Sequence, residues 1–340
     1  MRPTIRDVAR EAGVSISTVS RVLNDTCPVS GDKRRRVEET VARMGYTPDP
    51  TARSLLKRET GGVGVLLPSV SDEFFSEFLT GIDRYAQQNG YYLLISASHR
   101  NRAEFDRALL SMYGRVDGLL VMAPNEGGYD SSYPPLQQMQ VVYVNTGDHP
   151  GTDVVRIDNF GGFFAVTHHL IAGGHRDIAM ILGPDGSFDA SERQRGFETA
   201  MTGAGLTVRD DLLVTGDFTL EGGYAAVDRI MRVRPLPTAI AAANDLSALG
   251  ALSALHDRGL QVPESIALTG FDDVPSARFA NPPLTTVHVP IRELGVRAIS
   301  RLIQRVKNDG GQKETIENLP VELVVRASSS QPAVKTNGRD

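Results

Sequence analysis

The stretch from residue 4 to residue 24 reads TIRDVAREAGVSISTVSRVLN, and it contains two helix patterns separated by one glycine. Thr4 is placed to cap a first helix that has Asp7 in its first turn and ends at Gly13. Ser15 is placed to cap a second helix over residues 16–23. Two short helices joined by a glycine turn form a helix-turn-helix, so this stretch predicts a DNA-binding unit.

The second helix of this unit has an apolar face and a polar face. Val19, Val22 and Leu23 are expected to pack on the first helix because they recur at helical spacing. In a helix-turn-helix, the outer positions near the start of the second helix meet base edges in the major groove. The candidates for base reading are therefore Ile16, Ser17, Ser20 and Arg21.

A third helix is expected to start after Ser30 and to end at Arg43 or Met44. Four basic residues, 33–36, fill its first turns, where the helix dipole disfavours positive charge unless a polyanion is near. Phosphate contacts would explain them, and a solvated charged face is the alternative. Residues 1–60 contain 12 Lys and Arg against 8 Asp and Glu, whereas the remainder contains 24 against 33. This asymmetry fits contact with nucleic acid through one part of the chain only.

Length and composition limit the remaining possibilities. A chain of 340 residues with 41% hydrophobic residues can form two or three domains with substantial cores. We find no apolar run as long as the roughly 18 residues of a membrane span and no secretory signal. The single cysteine, Cys27, excludes an internal disulfide and suits a reducing cytoplasm, and its polar surroundings favour a structural role. The expected location is the cytoplasm.

From Val63 onward, short apolar runs alternate with amphipathic helix patterns in two successive sets. Such alternation is typical of parallel sheets covered by helices on both faces. The predicted fold class is therefore α/β, with two lobes that each contain a doubly wound parallel sheet, after an all-α headpiece. Ligands of such sheets bind beyond the carboxyl ends of the strands, so two facing lobes would form a binding cleft.

Polar side chains follow several of these predicted strands. Asn244, Asp272 and Asp158 each come directly after an apolar run, and Arg193 lies near the start of the helix expected after the run at Ile178. Ligand contact is one interpretation, and capping of loops and helices is the common alternative. We interpret the neighbouring Asp245 and Asp273 as mostly structural.

The quoted stretch, together with Val29-Ser30, Arg36-Val37 and residues 45–48 (GYTP), closely resembles the headpiece of the lactose-repressor/galactose-repressor (LacI/GalR) family. The resemblance continues into the sensor, through the Asn-Asp pair at 244–245, a Gly-Phe-Asp-Asp turn at 270–273 and an Arg-x-x-Gly-Phe turn at 193–197. It covers about residues 2 to 328. The resemblance implies a periplasmic-binding-protein-like sensor for a small-molecule effector. It also implies a location in the bacterial cytoplasm, in association with the nucleoid.

The resemblance also assigns expected roles to residues of this sequence. A hinge helix would form when two subunits meet on DNA, and Leu55 would wedge into the minor groove, flanked by Ala52 and Arg53. A plain linker is the alternative, because so short a segment is not stably helical alone. The expected phosphate contacts are Thr4, Arg6, Asn24 and Arg34. The expected effector contacts are Phe74, Phe75, Asp158, Arg193, Phe218, Asn244 and Asp272, a set whose charged groups and aromatic rings suit a sugar.

We therefore expect a headpiece over residues 1–48 and a hinge over 49–60. A first lobe would take 61–160 with 290–320, a second lobe 161–289 with 321–328, and 329–340 would form a flexible tail. The predicted function is that of a homodimeric regulator, most simply a repressor of sugar-uptake or catabolism genes, that binds a palindromic operator and responds to a small molecule. No catalytic residue, metal site, cofactor or membrane partner is expected.

Two other classes remain open at this point. A periplasmic-type sugar receptor would have the same two lobes, and a doubly wound enzyme would need a nucleophile and base that we do not find. The sequence leaves open the identity of the effector, whether it releases or tightens DNA binding, and whether the regulator represses or activates.

Overall fold

The computed structural model describes residues 3–24, 27–47, 60–122, 134–308 and 314–329. The chain divides into two compact units, Met1–Gly61 and Gly62–Asp340. The first unit contains the headpiece, and the second contains both lobes of the sensor.

The headpiece consists of three helices, α1 (Ile5–Glu11), α2 (Ile16–Asn24) and α3 (Gly31–Met44). Thr4 and Asp7 form a capping box at the start of α1, and Gly13 turns the chain towards α2 with a φ of 63°, which favours glycine. Val8, Val19 and Val37, one from each helix, are fully buried. The predicted helices and the glycine turn between α1 and α2 are confirmed.

The first lobe is built on a six-stranded parallel sheet with the strand order β11-β5-β4-β3-β1-β2. Apolar side chains on both faces of the sheet are buried under helices, in two separate clusters. This is why the strands have near-continuous apolar sequences. The strands are β1 (Gly62–Leu67), β2 (Tyr92–Ala97), β3 (Gly118–Val121), β4 (Gln140–Val144), β5 (Asp153–Ile157) and β11 (Ile316–Leu319). The helices are α4 (Glu73–Gln88), α5 (Arg102–Met112), α6 (Pro134–Gln137) and α12 (Ile291–Lys307).

The second lobe contains a four-stranded parallel sheet of order β7-β6-β8-β9 and a two-stranded antiparallel ribbon of β10 and β12. Its strands are β6 (Ile178–Ile181), β7 (Leu213–Val214), β8 (Ala239–Ala242), β9 (Ala267–Thr269), β10 (Thr286–His288) and β12 (Glu322–Val324). Its helices are α7 (Asn159–Ala172), α8 (Phe188–Gly203), α9 (Leu220–Ile230), α10 (Asp245–Asp257) and α11 (Pro275–Phe279). A short 3₁₀ helix, Asp210–Leu212, precedes β7. The predicted two-lobed α/β fold is confirmed.

The chain passes between the lobes at three crossings, which are residue 158, residues 289–290 and residues 320–321. The first crossing is hydrogen-bonded to the residue that precedes the third, since the backbone N–H of Asp158 donates to the carbonyl of Leu319 at 3.1 Å. Most of the second lobe is therefore inserted, in sequence, between two parts of the first lobe, and its last strand, β12, follows both parts.

Two segments differ from the sequence prediction. The motif at 193–197 was expected to form a turn that opens the helix after β6, and this is wrong. The helix begins at Phe188, because the Ser187 hydroxyl accepts a hydrogen bond from the backbone N–H of Ala190, so the motif lies inside α8. Ser329, expected as the first residue of the tail, is buried and hydrogen-bonded to Thr285 and His169. Residues 330–340 lie outside the described residues.

Candidate functional site

The outer face of α2 presents the predicted base-reading residues. Ile16 is 45% exposed, although it is apolar, and Ser17 and Arg21 are exposed as well, whereas Ser20 is half-buried. The Ser15 hydroxyl bonds the hydroxyls of Ser17 and Thr18, each at 2.8 Å, which fixes the start of the helix. The face therefore offers one apolar, one hydroxyl and one guanidinium group from a single helix.

The predicted phosphate contacts occupy different settings. Arg6 is exposed, and Arg34 lies 3.8 Å from Glu38. Thr4 is exposed, but its hydroxyl already donates to Asp7 at 2.7 Å. Asn24 ends α2. The hinge residues Ala52, Arg53 and Leu55 lie outside the described residues, and their predicted roles stay predictions.

The structure offers a second explanation for the basic first turns of α3. Asp32 also lies in the first turn and forms ion pairs with Arg35 at 3.1 Å and with Arg36 at 3.7 Å. An acidic residue at this position is favourable to the helix dipole and partly neutralises the cluster. The charge cluster alone is therefore weaker support for phosphate binding than the sequence indicated.

A cavity of about 650 Å³, which includes space open to solvent, lies between the two lobes of the sensor. We call it the interlobe cavity. Six of the seven predicted effector contacts line it, and they are Phe74, Phe75, Arg193, Phe218, Asn244 and Asp272.

The seventh predicted contact, Asp158, does not line the interlobe cavity. Its carboxylate caps α7 by accepting from the backbone N–H of Gly161 at 2.8 Å. It lines a neighbouring pocket together with Asn159, Glu192 and Arg195. The capping alternative that we weighed for strand-end carboxylates accounts for this residue.

Arg193 is the most constrained polar group of the interlobe cavity, and it is 3% exposed. Its Nε donates to Asn159 Oδ1 at 2.8 Å and its Nη1 to the Ala243 carbonyl at 2.7 Å. Its Nη2 donates to Asp272 Oδ1 at 3.3 Å. The guanidinium also lies over the Phe271 ring, 3.9 Å from the centroid. These contacts hold the cation in one orientation before any ligand arrives.

Gly196 explains how Arg193 reaches this position. A Cβ atom at residue 196 would lie 2.5 Å from the carbonyl oxygen of Phe160 on α7. Glycine therefore lets α8 approach the backbone of α7 closely, and Arg193, one turn earlier on α8, meets Asn159 at the start of α7. The glycine of the motif at 193–197 thus serves helix packing.

Three carboxyl groups, Asp72, Asp189 and Asp272, line the same cavity. Burial, together with the charges of Asp189 and Asp72, raises the pKa of Asp272 to about 7 against the lowering influence of Arg193. Burial also raises the pKa of Asp189 to about 6 and raises that of Asp72. The cavity is therefore rich in hydrogen-bond acceptors whose charge changes near neutral pH.

The remaining polar groups divide between ligand-facing and structural positions. Asn244 caps α10, since its Oδ1 accepts from the backbone N–H of Ser247 and its Nδ2 donates to the carbonyl of Phe218. Asp245 is fully buried and accepts from Thr286 and from the backbone of Val274. Asp273 accepts from Arg326, Arg278 and His288. These contacts fit the structural interpretation of Asp245 and Asp273.

The structure adds residues that the sequence reasoning missed, namely Asp72, Arg100, Asn145, Phe188 and Asp189. Asn145 is buried and its Oδ1 accepts from the backbone N–H of Ile157. Its Nδ2 has no hydrogen-bond partner within the part of the chain that the structure describes. Because Asn145 directly follows β4, the strand-end rule could have nominated it.

Two hydrogen-bonded contacts join the lobes beside the interlobe cavity. Arg100 of the first lobe donates to the carbonyl of Asp217 at 2.7 Å and lies over the Phe218 ring. Glu73 of the first lobe accepts from the backbone N–H and the hydroxyl of Ser276, at 3.0 and 2.8 Å. These contacts hold the cavity in the observed degree of closure.

The described ranges of the chain contain no group of three His, Cys, Asp or Glu side chains arranged to hold a metal ion. None of the helices described there is long and apolar enough to cross a membrane. Cys27 is exposed.

Comparison with known proteins was made by sequence and by structure. Residues 4–49 match the model of bacterial regulatory proteins of the lacI family, and residues 167–329 match that of a periplasmic binding protein-like domain. The HTH-type transcriptional repressor PurR of Histophilus somni is 36% identical, over 96% of this chain and 98% of its own length. The lac repressor dimer bound to operator and the anti-inducer ONPF superposes with a TM-score of 0.84 at 28% identity, covering 97% of this chain and 99% of that one. The complex of the regulator CelR with cellobiose gives 0.72 at 31% identity, covering 96% and 100%.

Proposed function

The chain belongs to the lacI family of bacterial regulatory proteins and is a DNA-binding transcriptional repressor, and on that premise we propose that a sugar bound in the interlobe cavity changes its affinity for operator DNA. Repressors of this family respond to small-molecule effectors and do not use cofactors. The headpiece match disfavours the alternative of a periplasmic-type receptor, and the curated relatives are repressors and not enzymes.

The observation that carries the sugar proposal is the pairing of fixed charges with aromatic rings in one cavity. Arg193 and Asp272 form a buried donor–acceptor pair, and Asp189 adds a second carboxyl. Phe74, Phe75, Phe188 and Phe218 supply flat apolar surface around them. Sugar hydroxyls both donate and accept, and their ring faces stack on aromatic rings, so this combination matches a mono- or disaccharide. Cellobiose in the CelR complex is a solved example from a structural neighbour.

The response would follow from cavity closure. An effector that contacts Arg193 and Asp272 on one lobe and Asn145 and Asp72 on the other favours one lobe angle over others. We propose that the hinge, residues 49–60, transmits that angle to paired headpieces of a homodimer on a palindromic operator. The lac repressor neighbour is a dimer on its operator. The protein would act in the cytoplasm, where the DNA is, and would control sugar-uptake or catabolism genes.

A thermal-shift screen tests the effector class directly, because a ligand of the folded state raises the unfolding midpoint. The panel contains D-ribose, D-glucose, lactose and cellobiose beside adenine, guanine and hypoxanthine. We expect a sugar to raise the midpoint and to change the affinity for an operator selected in vitro with the full-length protein. A shift with a nucleobase alone would contradict the sugar proposal, and a shift with neither class would contradict the assignment of the cavity.

Operator recognition is tested separately on ligand-free protein. We propose that Ile16, Ser17, Ser20 and Arg21 read each half-site, and that Leu55 with Ala52 and Arg53 opens the central minor groove. Sequences selected by the full-length protein should be palindromic. Selection of a non-palindromic site would argue against a dimer with paired headpieces.

A further inference from the structure

The side chain of Asn159 holds two residues of the interlobe cavity at once. Its Oδ1 accepts from Arg193 Nε at 2.8 Å, and its Nδ2 donates to Asp189 Oδ1 at 2.8 Å. Asn159 is 2% exposed and does not line the interlobe cavity. It can therefore affect a bound molecule only through Arg193 and Asp189.

Asn159 also lies at a crossing between the lobes. It is the first residue of α7, and the backbone N–H before it donates to the carbonyl of Leu319 at the third crossing. Arg193 extends the connection, since its Nη2 donates to Asp272. The carbonyl of Asp272 accepts from the backbone N–H of Val289 at 3.3 Å, at the second crossing. The Asn159–Arg193 pair is thus linked, through the neighbouring Asp158 and through Asp272, to the chain at or next to all three crossings.

We propose that Asn159 is a positioning residue that couples the interlobe cavity to the lobe crossings. Asn159 fixes Arg193 and Asp189 to the start of α7. When effector binding shifts these two side chains, the crossing segments are therefore displaced with them. The proposal rests on the proposed effector role of the cavity and adds the route by which occupancy reaches the lobe angle.

Both functions of the amide are needed for this role. A carboxylate at position 159 keeps an acceptor for Arg193 Nε but faces the carboxylate of Asp189, which loses its donor. Leucine removes both hydrogen bonds at similar volume. The double change Asn159→Asp with Asp189→Asn exchanges the acid and the amide, so it restores a donor–acceptor pair at unchanged net charge.

Protonation gives a readout that a purely structural role would not show. The charges of Arg193, on the same helix, and of Asp272, after β9, interact with that of Asp189, and Asp72 and Arg100 from the first lobe line the same cavity. Burial raises the pKa of Asp189 to about 6 in the unchanged chain. In Asn159→Asp, lowering the pH protonates one of the two facing carboxyls and lets it donate to the other. The loss of coupling between the cavity and the crossings in Asn159→Asp should therefore be relieved at pH 5.5, whereas the loss in Asn159→Leu should not.

The experiment measures coupling in the full-length protein. Variants N159D, D189N, N159L and the double variant N159D/D189N are compared with N101D, the same exchange at the exposed cap of α5. The probe is the panel sugar with the largest thermal shift, and its Kd is measured by calorimetry with and without operator duplex. The ratio of the two Kd values reports the coupling between the sites.

We expect N159L and N159D to bring this ratio at least fivefold closer to one at pH 7.5. At pH 7.5, the ratio for the double variant should return to within twofold of the ratio for D189N. At pH 5.5, the ratio for N159D should return to within twofold of the ratio for the unchanged chain. N101D should leave the ratio unchanged. A ratio that is unaffected by N159L, or a double variant no better than N159D, would overturn the proposal.

A ligand-free arm separates this inference from the sugar proposal. If no panel sugar shifts the unfolding midpoint, the proposed effector class is wrong. The positioning role of Asn159 is then tested by how the unfolding midpoint of the variants depends on pH. Between pH 5.5 and pH 7.5, the unfolding midpoint of N159D should fall further than the midpoints of N101D and of the double variant. Equal losses in the three variants would overturn the positioning role.

Discussion

Replacing Asp272 by asparagine is expected to stabilise the ligand-free protein at neutral pH while it abolishes the response to effector. Asp272 is 5% exposed, and its φ of 112° is one that asparagine tolerates better than alanine. Asparagine resembles the protonated form of the carboxyl and keeps an acceptor for Arg193 Nη2. The substitution therefore removes the negative charge with little change in backbone strain or volume.

The magnitude follows from the pKa of Asp272, which burial raises from 3.8 to about 7. Since about 1.4 kcal/mol corresponds to each tenfold change in proton affinity, ionised Asp272 lowers the free energy of unfolding by at most about 4 kcal/mol. Below pH 3.8 both the folded and unfolded states are protonated, and the cost is absent. It grows as the pH rises to about 7 and is constant above that. The advantage of Asp272→Asn should grow over the same range.

Urea unfolding at pH 4, 6 and 8 measures this advantage, and calorimetry with the panel sugar measures the loss of binding. Asp273→Asn is the matched control at the next residue. Burial raises the pKa of Asp273, but Arg326, Arg278 and His288 outweigh it and the pKa is lowered. Asp273→Asn should therefore lower the free energy of unfolding at pH 8 and lower it by less at low pH. An Asp272→Asn variant that is less stable at pH 8, or that binds sugar normally, would refute the reasoning.

Three further predictions concern other parts of the chain. Arg21→Ala should weaken operator binding on the order of 1–3 kcal/mol, measured by fluorescence anisotropy, and an equal loss on random DNA would exclude base reading. Asn145→Asp should weaken sugar binding about tenfold or more, equivalent to about 1.4 kcal/mol in calorimetry, because a buried donor becomes an acceptor; unchanged affinity would exclude contact. Asp153→Asn should lower the free energy of unfolding by about 3 kcal/mol at pH 7, because fully buried Asp153 pairs with Arg301 and Arg305; a variant of unchanged stability would contradict this. Burial raises the pKa of Asp153, but these bonds lower it overall, so the loss should fade under acid conditions, as urea unfolding can show.

The sequence predicted the features of this protein that depend on residues close to one another along the chain. The helix-turn-helix follows from Thr4, Gly13 and Ser15 at fixed spacing, and the structure contains those turns and caps. The lobes follow from the alternation of strands and helices, and polar residues at strand ends led to Asn244 and Asp272 in the interlobe cavity.

The parts that the sequence did not predict depend on packing between elements. Asp189 reaches the cavity only because α8 starts at Phe188, five residues before Arg193, near which the sequence predicted the start of this helix. Asp158 is held by the cap of α7, and a strand-end rule cannot distinguish a capping carboxylate from one that faces a ligand. The role of Asn159 depends on the close approach of α7 and α8 at Gly196, which no sequence period reports.

The insertion of most of the second lobe between two parts of the first has a consequence for synthesis on the ribosome. Five strands of the first lobe emerge by Ile157, but α12 and β11, which complete its sheet and cover it, emerge only with residues 291–319. At about 5–20 residues per second, that delay lasts on the order of ten to thirty seconds. The headpiece has been synthesised throughout this time, so a nascent or prematurely terminated chain carries a complete headpiece before it has a complete sensor.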